Sequence, residues 1–394
     1  MGTRDRRIIV LSDVEMGAGD IYDDFPHPQF LARCIDRWGS ARGALDLVFN
    51  GDTFDLLKVS VDGAWPALVT EAVALHKFER VVAAHGLVFE ALGRFLDAPG
   101  RTVHFVVGNH DPELLFPAVQ RRLQERIGAQ VKVHPVGVTF GDVHIEHGSQ
   151  TDPMFKFDPA APFVDTADGP VLALPWGSLA VIEVALPLQP LLYDLDRLKT
   201  RRRVFEQLPE ARDLLMSASW RYWTRDARAW FLGRHPVKQA SWTMVKEIAY
   251  RFSTGDPDLH TGDEAYRARL RVGPERVIVA GHLHRAKLWS YIDRRLVVTG
   301  CFRDEFPLGL DGMIGRSMPK SYADIRLRDG RLRAVSLREL TGPPPPRGHV
   351  PATLEAVRER LRPHLLTAAE QRVLDAEAES QLEREAADRR AAED

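Results

Sequence analysis

A chain of 394 residues, 44% of them hydrophobic, can bury a large core in one or more domains without cross-links. Its two cysteines, Cys34 and Cys301, lie far apart with no metal-ligand spacing around them, which fits a reducing compartment and argues against a thiolate zinc site. A formal net charge of -2 provides no global basic field, so binding to duplex DNA through electrostatics alone is not indicated.

The first residues run straight into the apolar stretch Ile8 to Leu11, which is too short for the apolar stretch of a secretory signal, and the expectation is a cytoplasmic protein. That stretch opens a pattern that occurs five times, in which a short Val- and Ile-rich run ends in a polar or glycine-bearing cluster. Ile8 to Leu11 leads to Ser12-Asp13-Val14-Glu15, Leu45 to Phe49 to Asn50-Gly51-Asp52-Thr53-Phe54-Asp55, and Val103 to Val107 to Gly108-Asn109-His110-Asp111. Val143 to Ile145 leads to Glu146-His147-Gly148, and Arg276 to Ala280 to Gly281-His282-Leu283-His284. Such runs read as buried strands with loops at their carboxyl ends, so the polar groups should gather along one sheet edge.

Helical patterns over Ala67 to Leu96 and Glu113 to Ile127 alternate with these strands, giving an α/β class. The alternating segment Val131 to His147, with turns near Pro135 and Gly141, reads as antiparallel, and a further strand pair is expected at Leu288 to Tyr291 and Leu296 to Thr299. Residues 151–273 hold five of the eight tryptophans and read as a mainly helical inserted cap. Within it, Val171 to Tyr193 is long and apolar, but Pro175, Pro187, Pro190 and Glu183 interrupt it, so it reads as buried core or an interfacial segment. Arg197 to Arg251 carries thirteen Lys or Arg against five Asp or Glu, either a solvated helical face or a surface for an anionic ligand. After residues 274–341, Gly342 to Arg347 reads as a stiff proline linker. Residues 351–394 then read as a charged helical tail, with Leu354, Val357, Leu361 and Leu365 at helical spacing.

Hydrolysis of a phosphoester needs a nucleophile at neutral pH and neutralisation of the phosphoryl oxygens, and two divalent ions about 3.5–4 Å apart supply both. Asp13, Asp52, Asn109, His147, His282 and His284 form a donor set suited to manganese, iron or zinc. A single such residue at a strand end is usually a cap or turn residue; the weight lies in the ordered set.

In order, Asp-x-x, Gly-Asp-x-x-Asp, Gly-Asn-His-Asp, His-Gly and Gly-His-x-His resemble the signature of the calcineurin-like metallophosphoesterases, over residues 8–150 and 276–300. The resemblance implies two packed mixed β-sheets flanked by helices and a two-metal hydrolase that uses a hydroxide between the ions. It implies that Asp52 bridges the ions, that Asp13 and His284 hold one, and that Asn109, His147 and His282 hold the other. His110 would face the scissile phosphate as charge stabiliser or acid, Asp111 would orient its ring, and Asp55 would give support from behind.

The family usually has His two residues after the first Asp, where this chain has Glu15. Strand alternation puts Glu15 on the same side as Asp13, so it either ligates the first ion or stands behind it. Counted as an extra negative charge, it predicts a harder-metal preference, manganese over zinc, with iron or magnesium as further candidates, and a more alkaline optimum. The role of Ser149 is open, and Asp152 with Pro153 reads as a turn. Arg285 or Arg303 would contact substrate phosphate or serve as an ion-pair residue.

Distant similarity to the UDP-2,3-diacylglucosamine pyrophosphatases, whose helical insertion covers a lipid-bearing nucleotide, together with the arginine- and tryptophan-rich cap, suggests a nucleotide-linked or lipid-linked phosphodiester or pyrophosphate. It also suggests contact between the cap and the inner face of a membrane. Alternatives are a metal-dependent nuclease on single-stranded nucleic acid, or a catalytically impaired binding module in which Glu15 spoils the first metal site.

Overall fold

The computed structural model describes residues 5–199, 201–232, 236–238, 241–254 and 262–364, with the backbone alone for 226–232, 252–254 and 262–263. Leu365 and the rest of the expected tail, and the side chains of Arg228 and Trp230, lie outside the described residues.

From the start, β1 (Asp5–Leu11), α1 (Pro28–Gly39), β2 (Ala44–Asn50), α2 (Glu71–Ala84), α3 (Gly86–Leu96), β3 (Arg101–Val106), α4 (Pro117–Ile127) and β4 (Val131–His134) alternate. The four strands run parallel side by side. Both strand faces are covered, which is why these segments read as continuous apolar runs rather than alternating ones. Ile9, Leu47, Phe49, Val103 and Phe105 pack with Leu31, Ile35, Phe78, Phe89, Phe95 and Leu123 from the four helices. The opposite residues Ile8, Val10, Val48 and Val106 enter a second core. The Thr70 hydroxyl caps α2 by accepting from the Val73 amide at 3.3 Å, and α1 and α4 open with Pro28 and Pro117, whose missing N–H costs nothing in a first turn.

The chain then crosses at Pro135 to the hairpin β5 (Gly137–Phe140) and β6 (Val143–Glu146). The segment expected to be wholly antiparallel is therefore split: β4 stays parallel to β3 in the first sheet, and only β5 and β6 are antiparallel. The insertion follows as the hairpin β7 (Phe163–Thr166) and β8 (Gly169–Leu172), then α5 (Trp176–Ala180), a π-helical turn over Val181–Ala185, and α6 (Leu186–Asp196). It continues through β9 (Leu198–Lys199), α7 (Arg201–Gln207), α8 (Pro209–Leu232), α9 (Trp242–Thr254) and α10 (Gly262–Val272). Pro187 and Pro190 do not end the helix: the π turn just before them shifts the hydrogen-bond register where a proline N–H is missing. Trp176–Asp196 is long and apolar enough to cross a membrane and is 44% buried within the protein.

The remaining strands are β10 (Val277–Ala280), β11 (Ala286–Tyr291), β12 (Arg294–Thr299), β13 (Phe306–Pro307), β14 (Lys320–Arg328) and β15 (Arg331–Leu340), followed by α11 (Leu354–Leu361). The two main sheets have the orders β15-β14-β1-β2-β3-β4 and β11-β12-β10-β6-β5, and both mix parallel and antiparallel pairs. Val143, Ile145, Val277, Val279 and Val297 of the second sheet meet Ile8, Val10, Val48, Val106, Ala323 and Ile325 of the first, so the sheets pack face to face. Tyr266 and Leu270 of α10 cover the outer face of the second sheet at Ile278, Ala280, Leu296 and Val298. This is the expected pair of packed mixed sheets flanked by helices.

Past the proline segment the described residues, up to His364, stay against the rest of the protein. Leu354, Val357 and Leu361 of α11 are buried against Leu195, Leu198, Val204, Leu208 and Ala211 of the insertion. The helical spacing seen in the sequence marks a docked face, because burying each such side chain contributes about 1.5–3 kcal/mol.

Candidate metal centre

The carboxyl ends of β1, β2, β3, β6 and β10 converge, and each hands the chain to one of the polar clusters. Asp13, Glu15, Asp52, His282 and His284 all take left-handed backbone, with φ of 53°, 56°, 49°, 67° and 51°. That conformation is disfavoured for residues with a Cβ and is concentrated at functional sites, where the fold holds it in place. Here it turns each side chain sharply off the strand end. The loops hold one another: the Asp13 amide donates to the Gly51 carbonyl at 3.1 Å and the Glu15 amide to the Asp52 carbonyl at 2.9 Å. A Cβ on Gly108 would lie 2.0 Å from Asp52 Oδ1, so that position admits only glycine beside the carboxylate.

Among the described residues four groups of donor atoms each lie within 4.8 Å of one another, and two consist wholly of expected ligands, Asp52 with His147 and His282, and Asp13 with Glu15 and His284; the other two join His284 to Cys301 and Glu305, and Glu15 to Asp55 and His110. In the first, His147 donates through Nδ1 to the Asn50 carbonyl at 3.0 Å, which turns Nε2 inward. Nε2 then lies 3.0 Å from Asp52 Oδ2 and 3.2 Å from Asn109 Oδ1. In the second, His284 donates through Nδ1 to Glu305 at 2.6 Å, and its Nε2 faces Asp13 Oδ1 and Glu15 Oε1, both at 3.2 Å. An imidazole fixed from behind by a carbonyl or carboxylate, with its other nitrogen aimed at acidic oxygens, is the usual support of a metal-binding histidine.

The electrostatics agree with this donor set. Burial alone would lower the His147 pKa, but the Asp52 carboxylate outweighs it and pushes the imidazole up to about 9. The same contest, won by Glu305 and Asp13, leaves His284 well above its ordinary value. Burial would raise the Asp52 carboxyl, yet His147 and His110 hold it below the usual range. The pocket is thus built for concentrated positive charge, and divalent cations fit its oxygen and nitrogen donors.

Every predicted ligand is therefore brought to this site: Asp13, Glu15, Asp52, Asn109, His147, His282 and His284 are all at the converging loops. Other assignments change. His110 Nδ1 bonds to Asp55 at 2.9 Å, not to Asp111, and burial is overcome by Asp55 and Asp52 to raise the ring to about 10. Asp111 points the other way and accepts from the amides of Gly108 at 2.7 Å and Thr53 at 2.8 Å, tying the third loop to the second. Burial and the Asp52 charge push its carboxyl up to about 7.

Arg303 is not placed to contact substrate phosphate, because it is 5% exposed and already engaged with carboxylates. Its Nη1 donates to Glu15 at 2.8 Å and its Nε to Glu305 at 3.1 Å. Burial would raise the Glu15 carboxyl, but this guanidinium holds it well below the usual range. Arg285 is exposed at the loop end beside His284. Asp152 forms the expected turn by accepting from the Met154 amide at 2.9 Å, and it also lies 3.5 Å from His282 Nε2. Ser149 is buried, and its carbonyl accepts from the Asp152 amide at 3.0 Å. Glu305 had no signal in the sequence apart from its place two residues beyond Arg303.

No family model matches the chain, and no curated protein matches it. Among solved structures it is similar to a dimetal phosphatase from Danio rerio, at 12% identity over 84% of this chain and 98% of that one, with a TM-score of 0.33. It is also similar to a phosphopantetheinyl hydrolase from Mycobacterium tuberculosis, at 12% identity over 76% of this chain and 90% of that one, with a TM-score of 0.28. A third is Vacuolar Protein Sorting 29 from Cryptosporidium parvum, at 14% identity over 86% of this chain and 99% of that one, with a TM-score of 0.29.

Proposed function

We propose that this protein is a two-metal hydrolase of phosphoester or pyrophosphate bonds, of the calcineurin-like metallophosphoesterase type, acting on a nucleotide-linked or lipid-linked substrate. The observation that carries the reading is the pair of donor sets whose histidines are fixed from behind and aimed at buried carboxylates. Asp13, Glu15 and His284 would hold one ion, Asn109, His147 and His282 the other, and Asp52 would be a further carboxylate ligand of the centre. When bound, the ions would supply an activated water and neutralise charge on the phosphoryl oxygens.

The chain's own residues do the rest. His110, held by Asp55 at 2.9 Å and 18% exposed, is the imidazole beside Asp52 that a bound phosphoryl group can reach. It can stabilise the phosphoryl charge or pass its Nε2 proton to the departing oxygen, while Asp55 keeps Nδ1 protonated and the ring in place. Its amide also donates to Asp52 Oδ1 at 2.8 Å, so the same residue fixes the carboxylate and faces the substrate.

The charge count made from the sequence is revised by Arg303. The guanidinium lies 2.8 Å from Glu15 and is shared with Asp24, Asp196 and Glu305, so it offsets part of the extra negative charge that Glu15 brings in place of the usual imidazole. A smaller alkaline displacement of the optimum than the sequence count implies is therefore expected. The oxygen-rich set around Asp13 and Glu15 still favours a hard ion such as manganese in that half. The substrate class rests on the insertion, where Trp220 is 72% exposed on α8 with the exposed Arg212, Arg221 and Arg225, and Trp242 is 76% exposed on α9, whose exposed cation is Lys246.

The test is metal content and a manganese-loaded hydrolysis panel spanning bis-nitrophenyl phosphate, nitrophenyl phosphate, cyclic nucleotides, nucleotide-sugar pyrophosphates and oligonucleotides. The expectation is about two ions per chain and activity that Asp52→Asn abolishes. Wild-type turnover in Asp52→Asn would refute the reading. Salt-sensitive cleavage of oligonucleotides would reassign the substrate to single-stranded nucleic acid, and one ion or none would indicate a binding module.

A further inference from the structure

The insertion reaches the metal centre at two separate places, through ion pairs that are buried on both sides at the first and part-buried on the insertion's side at the second. At the first, Arg251 of α9 donates through Nη2 to both oxygens of Asp152, at 2.8 and 2.9 Å, and Asp152 Oδ2 faces His282 Nε2 at 3.5 Å. Arg251 is 6% exposed and Asp152 1%. At the second, Asp196 at the end of α6 accepts from Arg303 through its carboxylate at 3.3 Å and its carbonyl at 3.1 Å. The same guanidinium holds Glu15 and Glu305. Lys199 of β9 forms an ion pair with the other oxygen of Glu305 at 2.8 Å, and Glu305 holds His284.

These contacts are an expensive way to attach an insertion. Desolvating two charges is repaid only when both partners are in place with good geometry, so a buried pair stabilises a docked segment less well than apolar side chains of equal size would. The insertion already has such side chains, since Leu195, Leu198 and Val204 pack in a core of their own and Leu179, Ile182 and Val184 pack against the main one. What the ion pairs add is direction: each ends on a group that orients a candidate ligand. Loss of Asp152 or of the Arg303 network would leave His282 or the Glu15 and His284 pair without the partners that aim them.

We propose that the insertion is a built-in part of the metal centre, in which Arg251 and Asp196 are positioning residues for His282 and for the Glu15 and His284 pair, so that seating of the insertion and binding of divalent cations are coupled. This rests on the metal-centre reading above. A cation that binds better when these contacts are made must, reciprocally, tighten them.

The experiment uses the full chain and Mn2+ alone as probe. Mn2+ affinity is measured by titration calorimetry for wild type, Arg251→Met and Asp196→Asn, with Asp152→Asn as a near-isosteric check should Arg251→Met fold poorly. Hydrogen exchange across α9 is followed with and without Mn2+. The expected result is a loss of roughly 10- to 100-fold in the affinity of one Mn2+ in each variant, the scale for partners behind a ligand, together with slower α9 exchange on Mn2+ addition in the wild type. Wild-type affinities in Arg251→Met and Asp152→Asn, or α9 exchange indifferent to Mn2+, would overturn the coupling while leaving the metal centre intact. A wild-type protein that binds no Mn2+ would overturn both.

Discussion

Removing Arg303 should cost far more stability than removing Glu15, although the two form one pair. The guanidinium lies within reach of Glu15 at 2.8 Å, Glu305 at 3.1 Å, Asp24 at 3.2 Å and Asp196 at 3.3 Å. Glu15→Gln leaves it three carboxylates and removes one charge-assisted hydrogen bond, about 1.5–3 kcal/mol. Arg303→Met keeps the apolar stem but strips the shared counter-charge from three buried acids and the part-buried Asp196, so the loss should reach the range of a broken buried pair, about 3–5 kcal/mol. Lys58 bonds Asp196 at 2.8 Å and Lys199 forms an ion pair with Glu305 at 2.8 Å, which keeps the loss from running higher. Asp24 adds a second limit: burial already pushes its carboxyl up to about 6 against the pull of Lys58 and Arg303, so without Arg303 it can take up a proton near neutral pH. Urea unfolding in EDTA, so that bound metal makes no contribution, should show a lower midpoint at unchanged slope for each variant. The double variant should differ from the sum of the singles by about 0.5–3 kcal/mol. If Arg303→Met were no more destabilising than Glu15→Gln, or the two were additive, Arg303 would not be the junction described.

Two further outcomes follow from the geometry. His110→Ala should lower kcat by roughly 10²- to 10⁴-fold, the scale of general acid catalysis, with metal content unchanged; Asp55→Asn should do the same to a smaller degree, whereas Asp111→Asn should reduce metal content because it unties the loop beside Asp52. Paired kcat and metal measurements distinguish these effects, and equal behaviour of Asp55→Asn and Asp111→Asn would count against the assignment. For His134, burial and the neighbouring His104 lower the folded pKa to about 4, so the unfolded chain, near about 6.5, takes up the proton first. The stability this group contributes is complete above the unfolded value and is lost as pH falls from there toward about 4, and urea midpoints between these limits should fall less steeply for His134→Phe than for wild type.

The gathering of the expected ligands was legible because it depends on a local event, a buried strand ending in a sharp polar turn, and Asp13, Asp52 and His282 each sit at such an end. What was not legible depends on how separate loops meet. Asp55 and Asp111 are equally close in sequence to their clusters, and nothing short of the loop packing decides which one faces His110. Glu15 and Arg303 are 288 residues apart, so the counter-charge that changes the meaning of a glutamate at that position had no local signature. The split of the segment around Pro135 between two sheets was hidden for the same reason: alternation reports a half-covered strand but not which sheet it joins.

The docking of α11 on α6 and α8 bears on how the chain reaches this state during synthesis. The long apolar helix from Trp176 to Asp196 leaves the ribosome well before Val357 and Leu361, which complete its apolar surroundings. At elongation rates of about 5–20 residues per second, that interval lasts on the order of ten seconds, during which an incompletely covered apolar surface is open to wrong partners or to chaperones.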